Sequence, residues 1–306
     1  MNAKARIWLN SLIIIFLFTG LIASAPQQAI AAETPEETAL GGALYTQTLS
    51  AGYETACAVQ TDGALRCWGD DTYGQTDPPE GTFQQVSAGG GHACAVRSNG
   101  ELACWGRNDY GQGTAALGFF TQVSTGDAFT CAMRDGGTIT CWGINTDGQL
   151  AAPADLFIQV SSGGAHACGL KYNGTLACWG RDTYGEATPP TGTFTSVAAG
   201  NNHTCGVQTN GSVACWGLND YGQSTPLAGN FLHVSAGGSH TCGLQTNGTL
   251  VCWGDNDEEQ ATPPEGQFTA VSAGYEYTCA LQADGKLVCW GEDDADQTHP
   301  PMRSYR

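Results

Sequence analysis

The stretch CAVRSNGELACWG, residues 94 to 106, sets two cysteines on either side of a Ser-Asn-Gly turn and ends in Trp-Gly. The pattern returns every 37 residues, as CAVQTDGALRCWG from Cys57, CAMRDGGTITCWG from Cys131, CGLKYNGTLACWG from Cys168, CGVQTNGSVACWG from Cys205, CGLQTNGTLVCWG from Cys242 and CALQADGKLVCWG from Cys279. Seven copies without an insertion between them mark a repeat architecture. Each unit has a short apolar stretch (83 to 86 in the second copy), a Gly-rich corner, a second stretch (92 to 96), the turn, and a third (102 to 105). Runs this short, rich in Val, Phe and Trp and bounded by Gly and Asn, predict β-strands; no segment after the N-terminal leader keeps a helical period for three turns.

The turn predicts how the cysteines pair. If Ser98, Asn99 and Gly100 make a three-residue hairpin loop with Gly100 left-handed, Arg97 faces Glu101 and Cys94 faces Cys104. The cysteines then fall on a non-hydrogen-bonded pair, where Cα atoms approach to about 4.5 Å, a separation that a disulfide accepts. Register thus predicts seven bridges inside seven hairpins: Cys57 with Cys67, Cys94 with Cys104, Cys131 with Cys141, Cys168 with Cys178, Cys205 with Cys215, Cys242 with Cys252 and Cys279 with Cys289. Zinc is the competing reading of fourteen cysteines. Its ligands usually come in closer pairs, so no metal site is expected here.

Val96 and Leu102 share the cystine's face, while Ala95, Ala103 and Trp105 point to the other, so both faces need a neighbour. Trp105 is expected to be presented to the next blade. The first and last copies keep Cys-Trp-Gly at 67 to 69 and 289 to 291 in place of the polar caps of a solenoid, which favours a closed ring. Pro78-Pro79, Pro189-Pro190 and Pro263-Pro264 disfavour a fourth paired strand. The expected fold is all-β: a seven-bladed β-propeller of seven 37-residue repeats, with three-stranded blades and one disulfide in each.

Lys4 and Arg6, the apolar run from Leu12 to Ala23, and Ala29 and Ala31 in an Ala-x-Ala pattern read as a secretory signal peptide. The run is shorter than the ~20 residues of a membrane span, with an uncleaved anchor as the alternative. The expected organisation is a signal peptide at 1–31, an acidic linker at 32–43 and the propeller at 44–306. A secreted or extracytoplasmic location lets paired thiols oxidise and persist. The chain carries 29 Asp and Glu against 11 Lys and Arg, a net charge of −18 that becomes more negative once Lys4 and Arg6 leave with the leader. Such a surface repels phosphate backbones, so nucleic acid is not an expected partner.

The unit VSAGGGHACAVRSNGELACWGRNDYGQ resembles the repeat of the regulator-of-chromosome-condensation family, in its Ala-Gly-x-x-His, Asn-Gly and Trp-Gly-x-Asn-x-x-Gly-Gln elements. The resemblance covers 44 to about 300 and implies a seven-bladed propeller. The cysteine pairs are more similar to the ectodomain repeats of crinkly-type receptor kinases. Short repeats and export also resemble a secreted bacterial member that inhibits β-lactamase by binding it. The family's nucleotide-exchange and chromatin activities do not carry over to an acidic, exported chain, which leaves the expectation of a binding scaffold.

Tracing a blade puts the Ser-Ala-Gly corner and the loop after Trp-Gly on one face, here the top, and the Asn-Gly turn at the bottom. Acids gather on the top, Glu54, Asp127, Glu276 and Glu292 among them, against Arg107 and Arg181. Top-loop residues differ between copies, as a binding surface on a constant frame requires. Tyr53 with Glu54 and Tyr275 with Glu276 belong to the first and last blades, neighbours once the ring closes. With Tyr73, Tyr110, Tyr184 and Tyr221 they form the expected binding set, since rigid aromatics anchor protein interfaces. The plain alternative is that these tyrosines only pack on the blade tops. DNDEEQ (255–260) and EDDADQ (292–297) are read as a solvated rim, with calcium as the alternative. His92, His166, His203 and His240 recur at a position occupied elsewhere by Thr55, Phe129 and Tyr277, which suggests packing or backbone bonding over a metal ring. No nucleophile elbow, zinc-protease motif or phosphate loop is present. The sequence therefore predicts a non-enzymatic, monomeric protein without a cofactor, whose partner is an extracellular or periplasmic protein, cationic to suit the acidic face. A carbohydrate-binding or hydrolytic envelope protein, or a structural cell-surface domain, are the alternatives.

Overall fold

The computed structural model describes residues 47–306, so the expected signal peptide and linker lie outside the described residues. Seven antiparallel three-stranded sheets follow one another in chain order. Blade 1 spans Leu49–Gly69, blade 2 Phe83–Gly106, blade 3 Phe120–Gly143, blade 4 Phe157–Gly180, blade 5 Phe194–Gly217, blade 6 Phe231–Gly254 and blade 7 Phe268–Gly291. First strands of successive blades touch, and the first strand of blade 1 meets blade 7, so the inner strands close a ring: a seven-bladed β-propeller.

The hairpin register is the one the turn predicts. The Arg97 N–H donates to the Glu101 carbonyl at 2.8 Å and the Gly100 N–H to the Arg97 carbonyl at 2.8 Å, with Gly100 at φ +87°. Cys94 therefore pairs across the strands with Cys104, and every blade repeats the arrangement. All seven disulfides join the expected partners, with Cα atoms 4.0–4.1 Å apart. Each staple contributes roughly 2–3 kcal/mol to a blade too small to build a core of its own.

The core lies between blades. The cystine face of blade 1 (Cys57, Val59, Leu65) packs against the tryptophan face of blade 2 (Ala93, Ala95, Ala103, Trp105), with Phe83, the first residue of blade 2, between them. This reverses the expectation for Trp105, which meets the preceding blade. Its indole N–H donates to the Gln75 carbonyl of the loop leaving blade 1, at 2.8 Å. The cause is the local pleat: the face opposite the cystine looks back along the ring, and an indole needs an acceptor when buried.

Serine hydroxyls also cross six of the seven interfaces; the interface between blades 5 and 6 has Ala198 at that position. The Ser87 hydroxyl accepts from the Thr125 N–H at 3.0 Å, and equivalent bonds run from Ala88 to Ser50, Ser162 to Ser124, Ala199 to Ser161, Ala273 to Ser235 and Ala51 to Ser272. These hydroxyls satisfy main-chain donors on the inner edges of the blades. The expected packing or backbone role of the histidines is refined here, because their partner is a side chain. Nε2 of His92, His166, His203 and His240 lies 2.8 Å from the hydroxyl of Thr130, Thr204, Thr241 and Thr278 on the following blade. Each Thr hydroxyl spends its one proton on a main-chain carbonyl, so each histidine donates from Nε2 and is the Nε2–H tautomer. Burial holds all four well below the usual imidazole range, at about 4 for His92 and about 3 for the others.

The C-terminal residues complete the ring. Tyr305 stands 37 residues after Phe268, in register with the phenylalanines that open blades 2 to 7, and bridges to Gln60. It is 4% exposed and packs among Leu49, Ala58, Trp68, Leu281 and Leu287. The Thr61 N–H donates to the Ser304 carbonyl at 3.2 Å, and Thr48 bonds the Arg306 carbonyl.

Candidate functional site

Seven glycine corners, Gly52, Gly89, Gly126, Gly163, Gly200, Gly237 and Gly274, meet around the axis. A Cβ on any of them would lie 2.1–2.7 Å from the carbonyl oxygen of the next corner, so only glycine permits the ring to close this tightly. The residue after each corner donates its N–H across to the following blade, from Tyr53 to Gly89 at 3.2 Å round to Tyr275 and Gly52 at 3.1 Å. These corners floor a cavity of about 90 Å³.

The mouth of that cavity takes one residue from each blade: Tyr53, Gly90, Asp127, Gly164, Asn201, Gly238 and Tyr275. Large residues alternate with glycines, and each glycine leaves room for the large residue that follows it. A Cβ at Gly90, Gly164 or Gly238 would strike Asp127, Asn201 or Tyr275 respectively. Seven is odd, so the alternation cannot close, and with four large residues against three glycines two large ones meet at the seam between blades 7 and 1. They are Tyr53 and Tyr275, stacked with ring centroids 4.3 Å apart and planes 15° from parallel.

Tyr53 reaches past the Gly90 position and donates its hydroxyl to Asp127 Oδ2 at 3.3 Å. Burial, with the Asp127 charge next, pushes the Tyr53 phenol upward. Burial also raises Asp127 to about 6, against the opposing pull of the Tyr53 hydrogen bond and of Arg181. Arg181 is committed elsewhere: it pairs with the buried Glu186 at 2.9 Å and bonds Asn201 and Asn202. Glu186 stands where the other loops have Gln75, Gln112, Gln149, Gln223, Gln260 and Gln297, and it keeps their bond to a loop N–H, donated here by Tyr184 at 2.7 Å.

The other expected tyrosines rise from the second top loops, whose frame is constant. The Asp or Asn two residues after Trp-Gly caps the loop, as Asn108 accepts from the Gly113 N–H at 2.9 Å. Gln112 Oε1 accepts from the Tyr110 N–H at 2.8 Å. The side chains of Tyr73, Tyr110, Tyr184 and Tyr221 are left about half exposed, at 49–55%. Arg107 lies over the Tyr73 ring at 5.2 Å and pairs with Asp109. The structure thus brings Tyr53 and Tyr275 into contact and leaves the second-loop tyrosines as separate posts.

Glu54 and Glu276 flank the stacked pair. Burial raises Glu276 and Glu292, and then Asp255, Glu258 and Glu54 for the first, and Glu276, Glu54, Asp294 and Glu258 for the second, raise them further, so the rim over blades 6, 7 and 1 is a field of mutually repelling carboxylates. In the acidic loops Glu259 (φ +62°) and Asp296 (φ +58°) hold the left-handed position that glycine takes elsewhere. Asp293, Asp296 and His299 bring ligand atoms together, all three exposed. Sequence reasoning did not single out Asp127 or Asn201 as mouth residues. Their signal is the alternation with glycine at 37-residue spacing.

The seven units at 47–75, 83–112, 120–149, 157–186, 194–223, 231–260 and 268–297 each match the Regulator of chromosome condensation (RCC1) repeat. The chain belongs to the RCC1 repeat family. No curated protein sequence matches it. Among solved structures the RCC1 repeats here are similar to the ectodomain of the receptor kinase CR4 from Physcomitrella patens (30% identity, TM-score 0.70, covering 80% of this chain and 73% of that one). The crinkly ectodomain of the Arabidopsis thaliana receptor kinase ACR4 (24%, 0.69, 85% and 98%) and human WBSCR16 (17%, 0.67, 77% and 87%) share the fold. Seven disulfides and the CR4 ectodomain as neighbour indicate an extracytoplasmic RCC1-repeat domain.

Proposed function

We propose that this is a secreted, non-enzymatic binding scaffold that engages an extracellular or periplasmic protein through its acidic, tyrosine-bearing top face. The observation that carries the reading is the stacked Tyr53–Tyr275 pair at the mouth, with Tyr73, Tyr110, Tyr184 and Tyr221 half exposed around the loops of a disulfide-stapled frame. Rigid aromatics lose little entropy on binding, and the carboxylate rim favours a cationic partner. Immobilised protein exposed to native extracellular material should retain a partner identifiable by mass spectrometry, less so as salt rises. Tyr53→Ala with Tyr275→Ala should lower that retention at least tenfold; unchanged retention would overturn the reading.

A second reading, a carbohydrate-binding or hydrolytic protein, draws on Asp127, a carboxyl raised to about 6 at the mouth of a cavity. Hydrolysis by carboxyl pairs needs a second acid or base close by. Among the described residues the mouth offers Asp127 as its one carboxyl, with Asn201 and the two tyrosines as its other polar side chains. Release of reducing sugar from envelope polysaccharide, lost in Asp127→Asn, would favour this reading over the first.

A further inference from the structure

We propose that the channel mouth seats one alkylammonium group, the end of a lysine side chain of the protein partner, with Asp127 as its counter-ion and the stacked Tyr53–Tyr275 pair as its wall. The proposal rests on the reading of the top face as protein-binding and names the chemistry that its centre recognises.

Four features of the mouth converge on a cation. Asp127 is partly buried and, among the described residues, forms no ion pair; its one hydrogen bond comes from the Tyr53 hydroxyl. A carboxylate so placed is costly until a cation meets it, and the nearby Arg181 is held by Glu186. The aromatic pair adds the negative ring faces that attract ammonium groups. Asn201 adds a side-chain amide that lies over Gly164 at the mouth. Finally, Glu54, Glu276 and Glu292 stand on the rim beside the tyrosines and raise the local concentration of cations.

The floor argues against other ligands. Main-chain carbonyls of six of the seven glycine corners, all but Gly163, already accept hydrogen bonds from the preceding blade, so they are poor candidates for the six to eight oxygens of a calcium site. An anion would face Asp127 and the acidic rim. The volume of about 90 Å³ has room for the tip of one flexible side chain, a few times the space that one water takes. An ammonium brings three donors on an unbranched stem, which suits an opening with one carboxylate, one amide and two aromatic rings.

The probe is n-butylammonium, titrated against the full chain at pH 7.4 by protein NMR, with n-butanol and n-butylguanidinium as comparisons. Expected are saturable shifts with Kd on the order of 1–10 mM, the range open to a ligand of five heavy atoms. Asp127→Asn, close in shape to the native residue, should weaken binding at least tenfold with unchanged tyrosine near-ultraviolet circular dichroism; n-butanol should not bind. Equal binding of n-butanol, unchanged affinity in Asp127→Asn, or tighter binding of n-butylguanidinium would each overturn the ammonium seat. If n-butylammonium fails to bind while Tyr53→Ala with Tyr275→Ala still abolishes partner capture, this inference falls and the scaffold reading stands. Ammonium binding with partner capture unchanged in that variant would do the reverse.

Discussion

The interface between blades 5 and 6 and the one between blades 7 and 1 use different chemistry to reach the same geometry. In the first, His203 bonds Thr241 at 2.8 Å, Trp253 donates to the Gln223 carbonyl at 2.9 Å, and Phe231, the first residue of blade 6, packs edge-on to Trp253. In the second, Trp68 still finds the Gln297 carbonyl at 2.8 Å, but Tyr277 faces the position of Ala56 and no His–Thr bond forms. Tyr305, arriving from the C-terminal segment, takes the place of the phenylalanine that opens the other blades. The seam thus holds by packing, the Trp68 bond and the Ala51–Ser272 bond, whereas its counterpart has Ala198 at the serine position and relies on a buried His–Thr pair and chain continuity. It also carries the Tyr53–Tyr275 stack, so closure of the ring and construction of the candidate site are one event.

Acid should separate the two kinds of interface most strongly. The four histidines bonded to threonines, and the buried His233 of blade 6, have depressed folded values, so their contribution is complete above the unfolded imidazole value of about 6.5 and is lost as pH falls toward 3–4. Several kcal/mol should disappear over that window, since each tenfold difference in proton affinity between the folded and unfolded chain is worth at most about 1.4 kcal/mol. Hydrogen exchange at pH 4 should speed first between blades 2 and 3 and from blade 4 through blade 7; a uniform response would contradict the assignment. Tyr305→Ala attacks the other side of the comparison. Loss of its buried ring should cost about 3–4 kcal/mol in denaturant unfolding and expose the first strand of blade 1 to exchange.

Removing one staple, with Cys205→Ser and Cys215→Ser together, should cost about 2–3 kcal/mol, measured the same way, and leave the seam intact. Thr241→Val strands His203 without an acceptor and should cost about 1–2 kcal/mol, whereas Ala56→Thr, opposite Tyr277, should gain nothing of that kind. Thermal melts of the two variants test this pair. Smallest and of opposite sign is Asp127→Asn. A carboxyl raised to about 6 when folded costs nothing below about pH 4 and disfavours folding increasingly as pH rises through 6. Its removal should stabilise the protein by about 1 kcal/mol at pH 7.4, discounted for residual solvent contact, and by nothing at pH 3.5.

Much of the polar chemistry between blades was legible in the chain, some of it unread. Where a copy has His92, His166, His203 or His240, the copy after it has Thr130, Thr204, Thr241 or Thr278; where it has Thr55, Phe129 or Tyr277, the next has Ala93, Ala167 or Ala56. That pairing at a separation of 38 residues reveals the hydrogen bond before any coordinates do. Tyr305 was likewise visible as an aromatic in phase with Phe268. The direction of Trp105 was not, because a face needing cover does not say which neighbour covers it.

By itself, the sequence determined what is local and periodic: the hairpins, the cystine pairing, the count of blades and the adjacency of the first and last. These follow from a two-residue pleat and a constant repeat, which need no distant information. Only the tertiary structure decided the mouth, where Tyr53 spans to Asp127 and stacks on Tyr275, and where Asp127 is partly buried. Those properties arise when an odd number of alternating large and small residues closes around an axis, and no single repeat contains that circle.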